Sequence, residues 1–177
     1  MSYDILIKNG RIIDGAGNPW YRADVGIKDG KIAKIGLKIE DSEANKIIDA
    51  TNMIVCPGFI DIHSHTDSIL PFKHKMEPAI HQGITTLVVG MCGESLAPIP
   101  SEKLDTFKKL FAGPMGGDMK ISWDTFSKYL EEMEKLHITA NLAFVVGFST
   151  IRVAGGPGFE NRPPTKKELD KMKSLVA

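Results

Sequence analysis

Val55-Cys56-Pro57-Gly58-Phe59-Ile60-Asp61-Ile62-His63-Ser64-His65 is the stretch on which the reading of this 177-residue chain turns. A Pro-Gly break introduces a short apolar run, and the run ends in two histidines one residue apart. Read as a strand over residues 59–63, it sends alternate side chains to opposite faces, so positions 61, 63 and 65 share one face. His63 and His65 then converge at the strand's C-terminal end, where two imidazoles suit zinc or a similar transition metal. An isolated His-x-His is more often a pair of surface or turn histidines. Here the strand context and the residues downstream favour the metal.

Upstream of this stretch the sequence reads as a small antiparallel sheet. Residues 3–8 and 11–13 are β-branched runs separated by Asn9-Gly10, a dipeptide suited to a type I′ hairpin turn. A second hairpin is expected over residues 23–36 around Asp29-Gly30, with further short strand at 46–50 and 53–55. Downstream, strand-like and helical runs alternate, which is the signature of βα units and a parallel sheet. The strands fall at 59–63, at 84–89 (apolar enough to be covered on both faces) and at 142–146. The helices fall at 77–82, at 101–112 behind a Ser101 cap, from Ser122 with Trp123, Phe126, Leu130, Met133 and Leu136 on one stripe, and from Thr165. There, Thr165 and Glu168 form a capping box before Leu169, Met172 and Val176. Residues 153–164, rich in Gly and Pro, read as a loop. The expected fold is therefore α/β, with residues 1–55 forming a small β segment and residues 56–177 carrying three βα units. An open sheet of that size would present long apolar edges, so the chain reads as unfinished.

Composition excludes several functions. Lys plus Arg and Asp plus Glu both number 22, so no basic field marks a nucleic-acid binder. No apolar run approaches the length of a membrane span, and residues 1–20 lack the uninterrupted apolar core of a signal peptide. Two cysteines make no disulfide framework. A cytoplasmic protein with free thiols is the expectation.

The second parallel strand runs into Gly90-Met91-Cys92-Gly93. Glycines on both sides let the backbone bend tightly there, and the C-terminal ends of parallel strands form the site face of α/β folds. His63, His65 and Cys92 would meet on that rim. On position alone Cys92 reads equally as a ligand or as a buried structural thiol. Cys56, at the other end of its strand, is assigned no role. His74 lies in a polar loop, His81 in a short helix and His137 at a helix C-terminus, where a cation suits the dipole, and none is a ligand candidate. Asp67 is equally a turn residue, a helix cap, or a contact to a metal ligand or substrate amine.

These residues resemble a known family. The stretch from Pro57 to His65 looks like the first barrel strand of the amidohydrolase superfamily. Asp4-Ile5-Leu6-Ile7-Lys8-Asn9-Gly10-Arg11-Ile12-Ile13-Asp14-Gly15 resembles that superfamily's N-terminal β-sandwich opening. Gly90-Met91-Cys92-Gly93-Glu94-Ser95-Leu96-Ala97-Pro98 points within it to the D-aminoacylases, or N-acyl-D-amino-acid deacylases. Val146-Gly147-Phe148-Ser149-Thr150-Ile151-Arg152 and the helix from Thr165 are similar to the same group. The resemblance implies the first units of a TIM-like (β/α)8 barrel behind a β-sandwich segment, incomplete here. It also implies zinc, one or two ions, held by His63, His65 and a ligating or bridging Cys92. Zinc would polarise the carbonyl of an N-acyl-D-amino acid and supply hydroxide near neutral pH, with an aspartate on the last barrel strand managing the proton. That aspartate, and the remaining metal histidines, would lie on strands later than Ala177. Two positions depart from the family pattern: Met91 stands in place of Asn, and Phe148 in place of His. An inactive fragment, self-association, or a second chain that completes the barrel are alternative readings. So is a cyclic-amide hydrolase of the hydantoinase or dihydroorotase kind, although those relatives usually carry lysine where Cys92 stands.

Overall fold

The computed structural model describes residues 2–70, 75–110 and 121–176. The chain divides into two compact units, Met1–Pro57 and Gly58–Ala177.

The first unit is a five-stranded sheet: β1 (Tyr3–Ile12), β2 (Tyr21–Lys28), β3 (Lys31–Gly36), β4 (Ala44–Asp49) and β5 (Ile54–Val55). The β2–β3 hairpin forms where Asp29-Gly30 predicts it, with φ of 51° and 71° at those residues, as a type I′ turn requires. Two expectations are corrected. The sheet is mixed, because β1 pairs antiparallel with β2 but parallel with both β4 and β5. Moreover, Asn9-Gly10 is no hairpin turn: β1 continues through it, and the register slips by one residue between Ile7 and Gly10. Asn9 has the positive φ expected of it, 64°, but uses it for a bulge. The amide freed by the bulge donates to Oδ1 of buried Asp24 (3.0 Å), whose Oδ2 accepts from the Ile39 amide (3.0 Å). A hydrogen-bonded carboxylate in the sheet thus satisfies what a turn would otherwise have to.

The second unit is built on a parallel sheet in the order β6 (Phe59–Asp61), β7 (Ile84–Val89), β8 (Asn141–Phe144). The first strand ends at Asp61, two residues sooner than predicted, and the third lies one to two residues earlier than predicted. β7 has the expected bounds, but its faces are covered unequally: Leu87 and Val89 on one face are buried, whereas Ile84, Thr86 and Val88 on the other are half-buried. The covering layer comes from α1 (Glu77–Ile80), α2 (Leu104–Leu110) and α3 (Phe126–Glu134). Pro78 stands in the first turn of α1, and Gly83, at φ 78°, follows it. The predicted reach of α2 to residue 112, and its stop at Gly113, lie outside the described residues.

α3 begins later than predicted, capped by Thr125 and not by Ser122. The reason is tertiary. The Trp123 indole donates to the Leu96 carbonyl (2.6 Å), and the Ile99 amide donates to Asp124 O (2.9 Å), which holds residues 123–124 out of the helix. Trp123, Phe126, Tyr129 and Phe144 then pack with ring centroids 5.2–6.5 Å apart, contacts worth about 0.5–1.5 kcal/mol each beyond area burial. Tyr129 lies at the centre of this cluster, 1% exposed, and its hydroxyl has no hydrogen-bond partner among the described residues. An unmade bond in the core leaves a desolvation cost. Tyr129→Phe is therefore expected to stabilise the chain by about 1 kcal/mol, read as a rise in thermal midpoint of a few degrees. A lower midpoint would show that the hydroxyl contributes favourably.

The predicted 153–164 loop is partly helical: α4 (Phe148–Gly155) takes in its first three residues. Its β-branched residues Thr150, Ile151 and Val153 are poor helix formers, but all three are buried, and burial overrides propensity. α5 (Lys166–Ser174) has the predicted capping box between Thr165 and Glu168. Arg162 adds a two-pronged ion pair to Glu168 (2.8 and 2.7 Å), which with the Thr165 amide holds that carboxyl well below the usual range. Of its predicted stripe only Met172 is buried, whereas Leu169 and Val176 are exposed. Among the described residues no helix is long and apolar enough to cross a membrane.

Candidate metal centre

β6 delivers the two histidines by a turn. Beyond Asp61 the chain bends, and the Asp61 carboxylate accepts the His63 amide (3.1 Å). The Ser64 amide then donates to Val88 O (3.0 Å), tying the histidine segment to β7. Strand parity therefore does not bring the rings together, because His63 and His65 lie past the strand. The bend does so instead, and sets their centroids 5.6 Å apart.

β7 delivers the thiol. After Val89 the backbone enters positive φ at Gly90 (86°), Cys92 (56°) and Gly93 (83°), a 3-10 turn over Met91–Gly93 closed by the Glu94 amide on Met91 O (2.9 Å). Glycine takes such angles freely. A cysteine does so at a cost, and such residues cluster at functional sites. Cys92 Sγ lies 3.2 Å from His63 Nε2. One ligand atom each from His63, His65 and Cys92 lie within 4.8 Å of one another, and all three residues are exposed. In a tetrahedral zinc site, neighbouring N and S ligand atoms stand about 3.3–3.8 Å apart. The set of two imidazoles and one thiolate therefore fits zinc with a small closure. Of the two readings left open for Cys92, the buried structural thiol is corrected: the thiol is exposed.

Asp67 follows in the 3-10 turn Thr66–Ser68 and is buried. Burial pushes its carboxyl up to about 6, against the opposing pull of the Ser68 and Gly90 amides and of His65. Cys56 is exposed, in the other compact unit. His81 and His137 line an open groove with Lys75, Glu77, Ile80 and Thr139, and neither belongs to the three-residue cluster. His74 lies outside the described residues. Met91 is part of the cysteine turn, and Phe148 is the first residue of α4, 67% exposed. Sequence reasoning missed Ser95 and Thr150, which are buried and hydrogen-bonded to each other (2.8 and 2.9 Å) beside the cysteine turn. Their only signal was a pair of small hydroxyl residues inside the two quoted motifs.

No family model matches the chain. It is 37% identical to a D-aminoacylase from Alcaligenes xylosoxydans xylosoxydans, over 98% of this chain and 35% of that protein. Among solved structures, it is similar to N-acyl-D-glutamate deacylase from Bordetella bronchiseptica, solved with zinc and a phosphonate mimic of the tetrahedral intermediate. That match has 34% identity and a TM-score of 0.82, over 99% of this chain and 35% of that one. An L-hydantoinase from Paenarthrobacter aurescens is 33% identical over 88% of this chain and 34% of its own length. The chain thus spans about a third of the length of the relatives it matches.

Proposed function

We propose that this chain, whose sequence and fold match the N-terminal portion of the D-aminoacylase group of amidohydrolases, contributes the metal-holding part of a hydrolase of N-acyl-D-amino acids. The observation that carries the proposal is the meeting of His63, His65 and Cys92 beyond the ends of two adjacent parallel strands. Zinc held there would supply Lewis-acid polarisation of an amide carbonyl and an activated water. The chain's own residues do the positioning. His63 and His65 bring imidazole nitrogens from one bend, and Cys92 brings a sulfur from a turn that includes glycines at positive φ. Asp67, two residues past His65, holds a buried carboxyl that interacts electrostatically with His65, and groups near metal ligands tune them.

The barrel is part of the same proposal. β6 and β8 are the outer strands of the parallel sheet, and Phe59 and Ile60 on β6 are exposed. Further βα units, from the same polypeptide or a complementing one, would cover these edges and bring the proton-managing carboxylate. Without them this stretch is expected to hold metal but not to turn over substrate.

Cys92 favours a linear N-acyl substrate over a cyclic amide, because the cyclic-amide relatives usually carry lysine at its position. The test is to express the complete open reading frame that contains this sequence and assay it with zinc against N-acetyl-D-amino acids, their L-enantiomers and hydantoins. Deacetylation of the D-substrates, abolished by His63→Ala, is expected. Ring opening of hydantoins with no deacetylation would contradict the proposal.

A further inference from the structure

The cysteine turn is gripped by the junction between β8 and α4. A Cβ at Gly90 would sit 2.0 Å from Val145 O, and one at Gly147 would sit 2.3 Å from Gly93 O, so backbone meets backbone on both sides of the turn. Behind this contact lies a closed set of hydrogen bonds. Thr150 Oγ1 accepts from the Ser95 amide (2.9 Å) and donates to the Ser95 carbonyl (2.8 Å). Ser95 Oγ donates to Ala97 O (2.6 Å) and accepts from the Gly147 amide (3.0 Å). Thr150 is 0% exposed and Ser95 2%. A threonine in a helix commonly turns its hydroxyl back onto its own helix. Here it reaches across to an irregular segment three residues beyond Cys92.

We infer that Thr150 is a positioning residue for Cys92, its hydroxyl fixing the turn that presents the thiol beside His63. The inference rests on the metal-centre reading proposed above and adds to it the part of the fold that sets the third ligand. Ser95 has only one amide and one carbonyl, and both are committed to Thr150. Removing that hydroxyl leaves two buried backbone groups without partners, and these can be satisfied only if residues 92–95 move. Such movement carries Cys92 relative to His63 and His65, which are anchored separately through β6 and the Ser64–Val88 bond.

The test compares Thr150→Val, which keeps the shape and loses the hydroxyl, with Thr150→Ser, which keeps the hydroxyl. Cobalt(II) is titrated into each, and the thiolate-to-cobalt charge-transfer band is followed alongside amide hydrogen exchange of the metal-free chains. In Thr150→Val, cobalt affinity is expected to fall about tenfold or more with a weakened thiolate band. The Ser95 and Glu94 amides should exchange about tenfold faster or more while those of β7 are unchanged, and Thr150→Ser should restore both readouts. Wild-type affinity and band in Thr150→Val would overturn the inference and leave the metal centre standing. No thiolate band in the wild-type chain would overturn the metal-centre reading, and the inference with it. If Thr150→Val does not fold, Thr150→Ala, which also removes the hydroxyl and favours the helix, is read by the same criteria.

Discussion

Replacing Cys92 with serine is expected to lower the zinc affinity of the chain by roughly a hundredfold or more, since one of a few strong ligands is lost from a site worth on the order of 10 kcal/mol. Serine keeps nearly the same volume at the same backbone angle, so the fold has little reason to change. The hydroxyl, however, is a far weaker donor to zinc than a thiolate. Cys56→Ser provides the control, because Cys56 lies in the other compact unit and its thiol takes no part in the three-residue cluster. Competition with a chromogenic chelator measures both. Equal affinities for wild type and Cys92→Ser would remove the thiol from the site and leave two histidines that bind weakly, if at all.

The second large effect is expected at a residue with no side chain. Gly147 caps α4 at φ −75° and ψ 133°, angles that any residue adopts, so its glycine is not required by backbone conformation. It is required by space: a Cβ there would lie 2.3 Å from Gly93 O, 2.4 Å from Gly93 C and 2.6 Å from the Glu94 amide nitrogen. All three are backbone atoms and cannot rotate aside. Gly147→Ala must therefore push α4 and the cysteine turn apart, at a cost of about 3 kcal/mol or more in the stability of this unit. Because the displaced atoms adjoin Cys92, the loss should extend to zinc affinity. Gly36→Ala, whose Cβ would meet only the end of Lys34 at 3.7 Å, should stay within about 0.5 kcal/mol of wild type. Denaturation midpoints of the two variants decide the matter. A Gly147→Ala chain as stable as wild type would mean that the junction yields easily and does not set the turn.

How far the sequence could be read depended on whether the deciding physics was local. The β2–β3 hairpin, the Thr165–Glu168 capping box and the bounds of β7 were legible because neighbouring residues determine them. Asn9-Gly10 misled because its positive φ serves a bulge whose freed amide goes to Asp24, fifteen residues away. α4 was hidden because its β-branched residues are helical only by being buried. The start of α3 was misplaced because a hydrogen bond from Trp123 to Leu96 ties residues just before it to another segment, outside the helix. The candidate site is the instructive case. The three residues stood out as candidates by type and strand context, and the family resemblance joined them into one set, but the reason for their meeting was not legible: the histidines converge through a bend after Asp61, not through strand parity. The buried Ser95–Thr150 pair that backs the cysteine joins residues 55 positions apart, and nothing in either local sequence points to the other.

If His63, His65 and Cys92 hold one metal ion together, zinc-edge X-ray absorption of the purified, zinc-loaded chain will record all three ligands. The expected spectrum contains one sulfur scatterer at about 2.3 Å and two imidazole nitrogens at about 2.0 Å, with the sulfur contribution absent in Cys92→Ser. A wild-type spectrum with no sulfur, or one left unchanged by that substitution, would contradict a site shared by the three.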